Sequence, residues 1–107
     1  MELNERQRES DIQADIIKAL NRLGCHVWRT NAGSFSKGNR HIAGLPAGYP
    51  DISGHRDSDG KAIYIEVKNK TGKLRKVQEQ FALRIKDDDV LYGVARSVED
   101  AIKIVRR

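Results

Sequence analysis

With Cys25 as its only cysteine, the 107-residue chain cannot make an internal disulfide, and no second Cys or paired His stands near enough in sequence for a structural zinc site. No apolar run approaches the roughly 20 residues needed to cross a bilayer. The N-terminus has no basic-then-apolar signal and opens instead with Glu2, Glu5 and Glu9. These absences predict a soluble, cytoplasmic protein with no membrane partner and no small-molecule cofactor. There are no internal repeats, no low-complexity tract and too few residues for two cores, so 1–107 is expected to be one domain.

Charge, by contrast, is plentiful and unevenly placed. Residues 1–17 hold 2 basic and 5 acidic side chains, 18–86 hold 14 and 5, and 87–107 hold 4 and 5, giving −3, +9 and −1. A basic middle of this strength favours a polyanionic partner, because each Lys or Arg that neutralises a phosphate releases condensed counterions.

Periodicity predicts the elements. Asn4 and Gln7 read as an N-cap pair, and Ile12, Ile16, Leu20 and Leu23 then share one helical face until Gly24. A short strand over 26–31 carries Val27 and Trp28, with Trp28 expected in the core. A long loop over 32–50 follows, with Gly33, Gly38, Gly44, Gly48, both prolines, Lys37, Arg40 and His41. Residues 51–54 and 61–68 read as a hairpin around Asp57-Ser58-Asp59-Gly60. Leu74, Val77, Phe81 and Ile85 mark a second helix, 90–95 a buried strand, and Ser97 with Asp100 caps a third helix. The expected order is α-β-β-β-α-β-α, an α/β fold.

In the strand over 61–68, Ile63, Ile65 and Val67 share one face while Tyr64, Glu66 and Lys68 share the other. Glu66 and Lys68 therefore project together, roughly 7 Å apart. A carboxylate and an ammonium in mid-sheet are costly unless paired or used. If the two strands pair, Asp51 lies beside Glu66. Adjacent carboxylates repel, and a hard divalent cation such as Mg²⁺ relieves the repulsion. A lysine beside it could orient or help deprotonate a water, or stabilise charge building on a phosphate. Asp51, Glu66 and Lys68 thus suit phosphodiester hydrolysis. Glu9 falls on the inward stripe of the first helix, which also fits a plain helix-start acid, and Gln78 faces inward on the second, where it could equally satisfy a backbone group.

The ordered set Gly48-Tyr49-Pro50-Asp51, Glu66-Val67-Lys68 and Gln78, with Glu9 ahead of it, resembles the PD-(D/E)xK nuclease superfamily. More narrowly it resembles the virus-type replication-repair nuclease (VRR-NUC) family. Asp11-Ile12-Gln13, Val27-Trp28-Arg29, Thr71-Gly72-Lys73-Leu74 and 95–101 extend the likeness over nearly the whole chain. The resemblance implies a restriction-endonuclease-like fold with a central mixed sheet flanked by helices. It implies a metal-dependent DNA endonuclease in which Asp51, Glu66 and the Val67 carbonyl hold Mg²⁺ or Mn²⁺. Lys68 then assists the attacking water, Glu9 supports the metal site, and Gln78 positions phosphate or the lysine. Stand-alone members of this size are similar to Holliday junction resolvases, which implies a homodimer acting on branched DNA in repair, in a bacterial or phage-infected cell.

Lys70, Lys73, Arg75 and Lys76 continue from Lys68 as a basic run without an acid, placed to track the DNA backbone, and Lys37 and Arg40 in the loop are further candidate DNA contacts. Tyr49 and Trp28 are candidates for stacking on bases, though a Trp at such a position more often packs in the core. His26, His41 and His55 are not at ligand spacing in the sequence and receive no role. A competing reading is a non-catalytic nucleic-acid-binding module whose carboxylates are paired to lysines.

Overall fold

The computed structural model describes residues 7–30, 34–38 and 40–107. Helix α1 (Glu9–Arg22) leads into β1 (Cys25–Arg29), followed by β2 (Ser34–Lys37), β3 (Arg40–Ala43), β4 (Ile52–Arg56), β5 (Ala62–Val67), α2 (Lys76–Ile85), β6 (Leu91–Ala95) and α3 (Val98–Val105). The main sheet has the order β1-β4-β5-β6. Its first two pairings are antiparallel and β5 with β6 is parallel, so α2 serves as the crossover that a parallel neighbour requires. The result is a single small α/β domain with the expected order around a mixed sheet.

Two expectations change in detail. The predicted loop over 32–50 contains a two-stranded antiparallel ribbon, β2 with β3, in which Lys37 and Arg40 are Cα partners. Its glycine and serine content hid a hairpin too short to show a period of two. Helix α1 begins at Glu9, with Arg8 extended before it (φ −72°, ψ 143°), so Gln7 is not helical and Asn4 lies outside the described residues. The other caps fall as read: Gly24 sits at φ +86° after α1, and Ser97 Oγ accepts from the Asp100 amide at 3.1 Å.

The alternation in the strands decides the layers. Ile12, Ile16 and Leu20 of α1 and Ala101, Ile104 and Val105 of α3 bury Val27, Ile52, Ile63, Ile65 and Val67 on one face of the sheet. Helix α2 covers part of the other face, where the rings of Tyr49, Tyr64 and Phe81 meet edge-on at centroid distances of 5.3, 5.8 and 5.9 Å. Tyr49 is thus half-buried against two other rings. Trp28 stands on that same second face, beyond the reach of α2, and is 59% exposed, so it is not a core residue.

Candidate active site

Asp51 immediately precedes β4, one position beyond the registered pair Ile52↔Ile65, which sets it opposite Glu66. Its approach is built by Gly48-Tyr49-Pro50. Gly48 has φ +89°, and a Cβ there would overlap the Val77 backbone, so only glycine lets this turn sit against α2. Thr30 holds the other side: its amide donates to the Asp51 carbonyl at 2.8 Å and its hydroxyl donates to the Pro50 carbonyl. The Asp51 side chain is aimed by the end of β5, because Oδ2 accepts from the Val67 amide at 2.8 Å.

Glu66 is only 1% exposed, and among the described residues its Oε1 has no hydrogen-bond partner. Burial first, and then the adjacent Asp51 carboxyl through a shared hydrogen bond and charge repulsion, push the Glu66 carboxyl up to about 9. Lys68 and Arg75 pull it the other way without prevailing. Lys68 is itself buried to 7% exposure and continues the sheet, its amide donating to the Ala95 carbonyl at 3.1 Å. Two carboxyls and a lysine therefore converge at one end of β5.

Beyond them the chain turns through Asn69–Gly72. Asn69 Oδ1 accepts from the amides of Thr71 (3.2 Å) and Gly72 (2.8 Å), and the Arg96 guanidinium donates to the carbonyls of Asn69 (2.6 Å) and Gly72 (2.7 Å). Glu9 reaches this turn from α1, Oε2 accepting from the Asn69 amide at 3.2 Å, and a Cβ on Gly72 would come within 2.8 Å of that oxygen. Glu9 thus stands over the backbone just past Lys68. Gln78 is buried, and its Oε1 accepts from the Arg75 amide at 2.7 Å, so that oxygen caps α2.

Lys70, Lys73, Arg75 and Lys76 are all exposed along the turn and the start of α2. What the side chains of Lys37 and Arg40 contact lies outside the described residues. Thr30, Asn69 and Arg96 are positioning residues that pattern reading misses. Asn69 alone carries a signal, as an Asn three positions before a Gly, the habit of a side chain that bonds its own turn.

A divalent ion fits this donor set: an orphaned buried carboxyl oxygen on Glu66, a second carboxyl held beside it, and a Glu66 carboxyl whose charge burial and Asp51 disfavour. The Val67 carbonyl lies between Glu66 and Lys68 in sequence. No helix among the described residues is long and apolar enough to cross a membrane.

Comparison with known proteins brings in a family. The VRR-NUC domain model matches residues 7–99. A solved structure titled VRR-NUC domain superposes with a TM-score of 0.66 over 92% of this chain and 95% of the other, at 20% identity. Comparison with curated proteins finds no match.

Proposed function

This chain belongs to the VRR-NUC domain family, a nuclease-type domain, and from that premise we propose that it is a metal-dependent DNA endonuclease whose active site is Asp51, Glu66 and Lys68. The observation that carries the reading is the Glu66 oxygen buried without a partner beside Asp51. Burying a carboxylate in that state opposes folding, and an ion placed there turns the same arrangement to use. Asp51, Glu66 and the Val67 carbonyl would hold Mg²⁺ or Mn²⁺. When bound, such an ion supplies Lewis acidity toward the phosphodiester and lets both carboxylates ionise.

The chain's own groups do the remainder. The Asp51 carboxylate is fixed by the Val67 amide, which leaves its other oxygen for the metal. Lys68, buried beside the carboxyls, orients the attacking water and offsets the negative charge that builds on the phosphoryl oxygens. Glu9 steadies the turn that follows Lys68. Gln78 holds the start of α2, from which Arg75 and Lys76 face outward. With Lys70 and Lys73 they lie along a path for the DNA backbone leading from the scissile bond, while Lys37 and Arg40 belong to the ribbon as further DNA contacts.

The proposed substrate is branched DNA, such as a four-way junction, cut by a homodimer. One such small domain has little surface to grip two arms, and a second copy supplies the other. A non-catalytic binding module accounts less well for the site, since it gives no use to a buried carboxyl oxygen without a partner. The test is cleavage of labelled four-way, flap, single-stranded and duplex DNA with Mg²⁺ or Mn²⁺. The expected result is metal-dependent cutting of the branched substrates that Glu66→Gln and Lys68→Met abolish. Salt-dependent binding with no cutting of any substrate would favour the binding module.

A further inference from the structure

The face of the sheet that carries Glu66 continues away from the active site in two further rows. Trp28, Ser53 and Tyr64 form one row and His26, His55 and Ala62 the next, because each set consists of directly opposed partners across β1, β4 and β5. Ala62 lies four residues before Glu66, about 13 Å along the strand. His26 and His55, 29 positions apart in sequence, are thereby a cross-strand pair with ring centroids 5.4 Å apart.

Asp57 joins them. Its amide donates to the Gly24 carbonyl at 2.8 Å, which anchors the residue beside the start of β1. Its Oδ1 lies 2.6 Å from His26 Nδ1 and 3.9 Å from His55 Nε2. One ligand atom from each of the three side chains falls within 4.8 Å of the others. Asp57 Oδ1 thus lies within ion-pair distance of both imidazoles. Two imidazoles from neighbouring strands therefore converge on one carboxylate oxygen, an arrangement that brings three metal-binding donors together.

We propose that His26, His55 and Asp57 form a second cation site, separate from the catalytic one, that takes a borderline-soft transition metal such as Zn²⁺. Two imidazoles and one carboxylate suit such ions and not Mg²⁺, which prefers an all-oxygen octahedron. Around Zn²⁺, with bonds of about 2.0 to 2.2 Å, neighbouring donors stand roughly 3.0 to 3.5 Å apart. The His26 to Asp57 contact therefore opens by under about 1 Å and the His55 contact closes by a similar amount, moves open to three exposed side chains, two on paired strands and one on the turn beyond β4. Three protein ligands leave a fourth position for water. The ion ties β1, an edge strand, to β4 and to the chain just beyond it.

The test is calorimetric titration of the full chain with Zn²⁺ in Mg²⁺-free buffer, paired with the visible spectrum of the Co²⁺-loaded protein. It is run in a Glu66→Gln background, with Cys25→Ala as a control for the buried thiol. The expected result is one Zn²⁺ per chain in both, with Co²⁺ ligand-field bands, and millimolar Mg²⁺ failing to compete. His26→Gln and His55→Gln each weaken Zn²⁺ by more than about tenfold and remove the bands while the far-ultraviolet dichroism is unchanged. The proposal is overturned if Glu66→Gln abolishes Zn²⁺ binding, or if both histidine variants bind Zn²⁺ as the parent does.

Discussion

The Val67 amide donates to Asp51 Oδ2 at 2.8 Å, so the carboxylate that opens β4 is held by the backbone between Glu66 and Lys68. This bond makes Asp51 part of the end of β5 as much as of its own strand. It spends one carboxylate oxygen on positioning.

Asp51→Asn is accordingly expected to keep the fold, because an amide oxygen still accepts from Val67, while cleavage falls by at least about 100-fold. Thermal melts with and without Mn²⁺ check the cause. The parent should gain stability with metal, by mass action, and Asp51→Asn should gain little.

Metal-free stability should depend on pH in a defined direction. Glu66 ionises near 4.5 when unfolded and near 9 when folded, so between those values the folded chain binds the extra proton and stability falls as pH rises. The slope reaches at most about 1.4 kcal/mol per pH unit, and the accumulated cost at pH 7 is on the order of 3 kcal/mol. Urea denaturation from pH 5 to 9 should show this slope in the parent, a flatter line in Glu66→Gln, and partial recovery in the parent on adding Mg²⁺.

Gly48→Ala should destabilise by roughly 1 to 3 kcal/mol, since the residue has φ +89° and its new Cβ would meet the Val77 backbone. The measurement is a denaturation midpoint. Because Gly48 leads into Tyr49-Pro50-Asp51, cleavage should decline beyond what the unfolded fraction explains.

Substituting Lys70, Lys73 or Lys76 singly by Gln should weaken DNA binding alike for all sequences and lower the salt slope of log K by about 1 each. Fluorescence anisotropy across a salt series reads this. Unchanged slopes would place the DNA path elsewhere.

The hairpin, and with it the meeting of Asp51, Glu66 and Lys68, is legible in the sequence because a period of two and a turn at 57–60 leave one register. Trp28 and the histidines were not legible for the opposite reason. Whether a strand's second face is covered depends on how far α2 extends over it, which no local pattern encodes, and the pairing of His26 with His55 depends on a register between distant segments. The Asn69–Gly72 turn, clamped by Glu9 and Arg96, is likewise made of contacts between segments far apart in the chain.

The hairpin formed by β4 and β5 also orders events in time. Closing a loop costs more entropy as it lengthens, so pairs nearest 57–60 are expected to form first and the open end, where Asp51 meets Glu66, last. Relieving the strain between Asp51 and Glu66 there, by metal or by Glu66→Gln, is accordingly expected to slow unfolding and leave the folding rate little changed in stopped-flow measurements.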